Sequence, residues 1–136
     1  DGGARGNPGI AGSGMVLYDP ENMQELWCGW KYLGEGTTNN AAEYSGLLLG
    51  IQCARSLGVQ KLRVEGDSLL IVRQVNGLYK AKEPNLKKLL AAVKDATQHL
   101  DSFQIDYIPR AENKRADQLA NQAMDTRESF GFDELD

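Results

Sequence analysis

The chain has 136 residues, a formal net charge of −4, 41% hydrophobic and 25% charged residues. That is one domain's worth, with a core able to stand without disulfides or structural metal, and the balance excludes disordered and fibrous classes. No run approaches the ~18 apolar residues a membrane span needs, and the acidic total argues against a broad basic surface that holds polyanions by charge alone.

The first residues, Asp1-Gly-Gly-Ala-Arg-Gly-Asn-Pro-Gly9, place a lone carboxylate ahead of a glycine-rich turn. Glycine lets the backbone bend sharply and approach a neighbour closely, while Asn7-Pro8-Gly9 reads as a plain hairpin turn. Neither GxxxxGK[ST] nor a GxGxxG between strand and helix is present, so a phosphate loop is not indicated. With no initiating Met and a first Met at position 15, the chain reads as a segment excised from a longer polypeptide.

Residues 14–19 and 24–33 are rich in strand formers and flank Pro20, Glu21 and Asn22, which predicts a hairpin. Thr37, Thr38, Asn39 and Asn40 then offer caps to a long helix on which Tyr44, Leu47, Leu48, Ile51 and Ala54 recur at helical spacing, ended by Gly58. Residues 61–65 alternate like a strand, and a short helix is predicted over 69–75. Pro84 opens the next helix, striped by Leu86, Leu89, Leu90, Val93 and Leu100; residues 102–108 read as the last strand. Asn113 is predicted to cap a final helix with Ala116, Leu119, Ala120, Ala123 and Met124 on its apolar face. Residues 1–126 thus form the domain, and 127–136 an acidic, frayed tail. The order predicts an α/β fold with antiparallel and parallel strands covered by helices.

Cys28 and Cys53 lack CxxC spacing and a histidine cluster, so they read as reduced core thiols of an intracellular compartment: cytoplasm, nucleus or organelle. Lys80, Lys82, Lys87 and Lys88 form a local basic cluster that can steer a polyanion, or equally a solvated helix face.

Asp1, Glu43, Asp67 and Asp117 each stand where an element meets a loop. Singly, each has a structural explanation: Glu43 can complete a capping box with Asn40, and Asp67 or Asp117 can complement a helix dipole. Brought to one rim, four acids would repel unless cations sat between them, and oxygen donors suit hard divalent ions.

Four ordered blocks carry a resemblance: Asp1-Gly-Gly-Ala-Arg-Gly-Asn-Pro-Gly9, Thr38-Asn-Asn-Ala-Ala-Glu-Tyr44, Glu65-Gly-Asp-Ser68 and Asn113-Lys-Arg-Ala-Asp-Gln-Leu-Ala120. They resemble the four blocks of type 1 ribonuclease H, across nearly the whole chain. Ile108-Pro-Arg-Ala-Glu-Asn113 is similar to the last block of that family's compact, reverse-transcriptase-like branch. The resemblance implies a mixed five-stranded sheet flanked by helices. It also implies endonucleolytic hydrolysis of the RNA strand of an RNA/DNA hybrid, with two Mg²⁺ ions, or Mn²⁺ in their place, held by Asp1, Glu43, Asp67 and Asp117. Two metals can activate the attacking water and stabilise the leaving 3′ oxygen, giving 5′-phosphate products. Asn39 and Asn40 match positions that contact sugar hydroxyls and base edges, and Asn7 and Thr38 match backbone-contacting ones. The implied partner is the hybrid, and the implied state a monomeric domain.

The chain also departs from that family. The loop histidine of many members is absent, the only histidine is His99 in a predicted helix, and Arg110 occupies the shortened loop, where it can contact phosphate. The basic handle between the middle helices is missing, which predicts weak, salt-sensitive hybrid binding. Most of the first, central strand would precede residue 1. A proofreading exonuclease would want a second acid where Gly3 stands, and an actin-like phosphotransferase needs two such domains. The alternative of another class is a non-catalytic nucleic-acid-binding module; retention of all four acids weighs against it.

Overall fold

Gly2–Arg5 (β1) and Gly9–Tyr18 (β2) pair antiparallel, from Gly2 opposite Ser13 to Arg5 opposite Ile10. The ladder extends one residue further, because Asp1 N donates to the Gly14 carbonyl (2.7 Å) and Gly14 N to the Asp1 carbonyl (2.8 Å). β3 (Glu25–Thr37) adds antiparallel to the other edge of β2, with register shifts near both ends. These strands run longer than the predicted hairpin, since residues 9–14 are poor strand formers recruited by packing rather than by propensity. The structure, a computed structural model, describes residues 1–131.

A second ladder joins β4 (Lys61–Gly66) and β5 (Ser102–Tyr107) in parallel. The mixed α/β class is as read from sequence, with the five strands divided into three antiparallel and two parallel rather than hydrogen-bonded as one sheet. Among the described residues β1, 4 residues long, pairs with β2 alone.

The helices are α1 (Asn39–Ser56), α2 (Leu69–Val75), α3 (Pro84–Thr97) and α4 (Lys114–Thr126), with a 3₁₀ turn at Arg110–Glu112. Thr38 caps α1 by accepting from Ala41 N (3.2 Å), Ser68 caps α2, and Glu83 caps α3 by accepting from Asn85 and Leu86 N (both 3.0 Å). The cap at Thr38 leaves Glu43 outside any capping box. α1, α2 and α3 share the main core, built on Tyr44, Ile51, Ile71, Leu86 and Val93. There the buried Tyr44 hydroxyl donates to Gln74 Oε1 (2.5 Å), and burial pushes its pKa up to about 12.

Two helices press on opposite faces of the antiparallel ladder, because successive strand residues point to opposite sides. Ser13 Oγ donates to the Ala42 carbonyl of α1 (2.7 Å). Gly14, its neighbour, faces α4 so closely that a Cβ would lie 2.2 Å from the Ala116 carbonyl oxygen. The apolar face predicted for α4 is buried in full.

Residues 127–131 return to the outer edge of β3 instead of fraying. Phe130 exchanges backbone hydrogen bonds with Trp30 (2.8 and 3.1 Å), and the two rings stack at 4.7 Å. Ser129 Oγ accepts from Tyr32 N (2.9 Å). Residues 132–136 of the expected tail lie outside the described residues. Cys28 and Cys53 are free thiols, and burial lifts Cys53 to about 11. No helix among the described residues is long and apolar enough to cross a membrane.

Gly14→Ala sets a clash against α4 worth about 1–3 kcal/mol against an unfolded-state gain of about 0.4–1 kcal/mol, so the variant is expected to unfold at lower urea. Gly3→Ala has nothing within 4 Å of the new methyl and only the gain, so its midpoint is expected to hold or rise.

Candidate active site

Three elements deliver one acid each to the same place. Asp1 sits at the head of the β1–β2 ladder, its Oδ1 accepting from Gly2 N (2.9 Å). Glu43 lies in α1 where that helix meets β1: a Cβ on Gly2 would fall 2.3 Å from the Ala42 carbonyl and 2.5 Å from Glu43 N. Asp67 directly follows Gly66, the last residue of β4, at the carboxyl end of a parallel strand where ligands collect in open α/β sheets. Asp1, Glu43 and Asp67 are all partly buried, and each offers a carboxylate oxygen within 4.8 Å of the others.

Glu43 carries the electrostatic cost of this arrangement. Burial raises its pKa above the ordinary carboxylate value, and the Asp67 charge pushes the same way. The amino group at residue 1, the Gly2 N–H and Arg110 pull it down without reversing the shift.

Asp117 stands in the first turn of α4, outside the group of three. Its Oδ1 lies 3.5 Å from the Arg110 guanidinium, and Asn121 Nδ2 donates to Oδ2 at 3.5 Å. Asn113, predicted as a helix cap, makes no capping bond; its amide donates to Asp67 Oδ2 (3.3 Å). That link escapes a sequence reading because an Asn before a helix is adequately explained by capping.

The other predicted residues separate into two places. Asn7, Thr38, Asn39 and Asn40 line one groove of about 610 Å³, together with Glu83, Asn85 and Leu86. Within it Asn39 Oδ1 accepts from Ala4 N (2.7 Å) and Asn7 Oδ1 accepts from Asn39 N (3.1 Å), so part of each amide is used to lock the β1–β2 turn to α1. Arg110 is not in the groove; it is on the acid side, 82% exposed. His99 lines a different hollow with Gln52 and Arg55 at the far end of α1, about 18 Å along the helix from Glu43 at 1.5 Å per residue. It does not substitute for the missing loop histidine.

A family model described as reverse transcriptase-like matches residues 1–123. RNase H1 of the archaeon Halobacterium salinarum superposes with a TM-score of 0.89 at 35% identity, covering 93% of this chain and 94% of that one. The chain belongs to the type 1 ribonuclease H family. A second ribonuclease H, LC11-RNase H1 from compost, solved in complex with RNA/DNA hybrid, gives a TM-score of 0.87 at 41% identity, over 93% of this chain and 94% of that one. The solved N-terminal RNase H domain of Rv2228c from Mycobacterium tuberculosis gives 0.88 at 40% identity, covering 93% of this chain and 90% of that one. The curated Rv2228c protein, described as bifunctional, is 41% identical over 92% of this chain, which spans only 34% of that protein's length.

The Glu43 shift sets a pH signature for this ribonuclease H fold. A raised carboxylate pKa means the folded state keeps a proton that the unfolded state has released, so metal-free stability falls as pH rises through the window above 4.5. Glu43→Gln removes that penalty. With chelator present, its thermal midpoint is expected to exceed the parent's at pH 7 and to converge with it below the ordinary value of 4.5.

Proposed function

We propose that this domain is an endoribonuclease that hydrolyses the RNA strand of RNA/DNA hybrids with two divalent ions, Mg²⁺ or Mn²⁺, and leaves 5′-phosphate ends. The observation that carries the reading is the convergence of Asp1, Glu43 and Asp67 within 4.8 Å. The family and a relative solved with an RNA/DNA hybrid support the substrate.

The donor set fits hard cations. All three groups are carboxylates, at least one resists ionisation without a positive neighbour, and such ions take oxygen ligands. Asp1, Glu43 and Asp67 would hold them, with Asp117 completing the set from α4. Bound there, the ions supply activation of the attacking water and stabilisation of the leaving 3′ oxygen.

The chain's own residues do the rest. Neutral residues Asn7, Thr38, Asn39 and Asn40 line the groove that would take the hybrid. Telling RNA from DNA rests on the 2′ hydroxyl, which neutral donors and acceptors read better than charge does. The hydrogen bonds among Ala4, Asn7 and Asn39 fix the groove relative to Asp1 before any substrate arrives. Arg110, exposed beside Asp117, is placed to take a phosphate through a planar, always-charged fork.

The test uses the full-length protein with an end-labelled hybrid and Mg²⁺, beside Asp67→Asn. Metal-dependent cleavage of the RNA strand, lost by at least 10²-fold in the variant, is the expected result. Retained hybrid binding with no cleavage in the folded parent would point to a binding module instead.

A further inference from the structure

Asn113 occupies the N-cap position of α4 without capping it. Its backbone sits at φ −115° and ψ 31°, and its side chain makes no hydrogen bond to the first helical turn. The other three helices behave differently: Thr38, Ser68 and Glu83 each accept from a backbone N–H of their own first turn.

The backbone of Asn113 is held from both directions. Its N–H donates to the Arg110 carbonyl (3.0 Å), closing the 3₁₀ turn, and its carbonyl accepts from Asp117 N (3.1 Å), opening α4. What remains is the side-chain amide, and that reaches across 46 positions of sequence to donate to Asp67 Oδ2 at 3.3 Å. Capping residues are normally worth having, since replacing one by Ala costs about 0.5–2 kcal/mol. A helix that gives its capping group to a distant carboxylate has that group under a different constraint.

We propose that Asn113 is a positioning residue for the acid cluster: its amide fixes the rotamer of Asp67 and ties it to the start of α4, one turn ahead of Asp117. The inference rests on reading Asp1, Glu43 and Asp67 as a divalent-ion site. An amide suits the task because it donates without carrying charge. It orients a carboxylate beside two others, where a further acid would add repulsion and a cationic side chain would compete with the ions for the carboxylates. It also couples two parts of the site that no ladder among the described residues joins, since there β4 pairs with β5 alone and α4 packs mainly on β2 and β3. Partners of this kind set ligand orientation, and their loss typically lowers metal affinity about 10–100-fold.

Mn²⁺ binding to the full-length protein, followed by electron paramagnetic resonance without nucleic acid, tests this alongside metal-free thermal unfolding. Asn113→Ala and Asn113→Ser are both expected to weaken Mn²⁺ binding about 10-fold while leaving the metal-free midpoint in place. Ser is the informative variant: it caps helices as well as Asn but is too short to reach Asp67. Mn²⁺ affinity unchanged in both variants, or restored by Ser, would overturn the inference. Asp67→Asn separates the two levels. If it loses Mn²⁺ while the Asn113 variants keep it, the positioning role alone fails; if it too binds as the parent does, the ion-site reading fails with it.

Discussion

The site depends on how closely backbone can approach backbone where the β1–β2 ladder meets α1 and α4. Gly2 lies against Ala42 and Glu43 of α1, and Gly14 lies against Ala116 and Ala120 of α4, with no room for a methyl group at either. Asp1 exchanges both its backbone hydrogen bonds with Gly14, so the same residue that admits α4 also fixes the first acid. A side chain at either contact would push the helix, and with it Glu43 or Asp117, outward. Carboxylates so displaced would relax into solvent and cease to share an ion. The glycines near the chain start therefore act through packing rather than through contact with a ligand.

Much of this was legible in sequence, and the physics says why. Periodicity located α1, α3 and α4, because buried stripes such as Leu86, Leu89, Leu90 and Val93 repeat at 3.6 residues whatever lies opposite, and start and stop residues located α2. The sequence reading expected four acids to meet; Asp1, Glu43 and Asp67 lie together, while Asp117 stands outside that group. The extent of β2 was not legible, since Gly9, Gly12 and Gly14 look like turn residues until the helices they admit are known. Nor was the hold on residues 127–131, which rests on contacts about a hundred positions apart in sequence: the Trp30–Phe130 stack and backbone bonds, and Tyr32 N to Ser129 Oγ. Asn113 was read as a cap for want of any local sign that Asp67 lies above it.

Charge is distributed to match the proposed chemistry. The net −4 is concentrated in function by the acids at the core of the site, while the groove beside it is lined mainly by neutral amides and hydroxyls. Lys80 and Lys82 fall in the connection between α2 and α3, where Tyr79 is held by Arg73 through a 2.6 Å hydrogen bond and a cation–π contact at 5.2 Å. With no cation among the groove's lining residues, the proposed hybrid binding would carry a small counterion-release component, so the salt sensitivity expected from the sequence does not follow from this groove. Recognition then leans on shape and hydrogen bonding, which favours selectivity over strength.

The Arg110–Asp117 pair shows how the fourth acid can join the others. At 3.5 Å and with the arginine 82% exposed, the contact is a solvent-screened one, of a kind worth about 0.2–1 kcal/mol. In the proposed two-ion site, a contact that weak would leave Asp117 free to join the other three carboxylates. If the carboxylate turned toward the cluster, the exposed Arg110 guanidinium would be released to take another anion. A phosphate is the natural replacement, since Arg binds it bidentately. Resting pair and working pair are thus alternatives for the same two side chains. The loop that lacks a histidine still places the Arg110 cation beside Asp117.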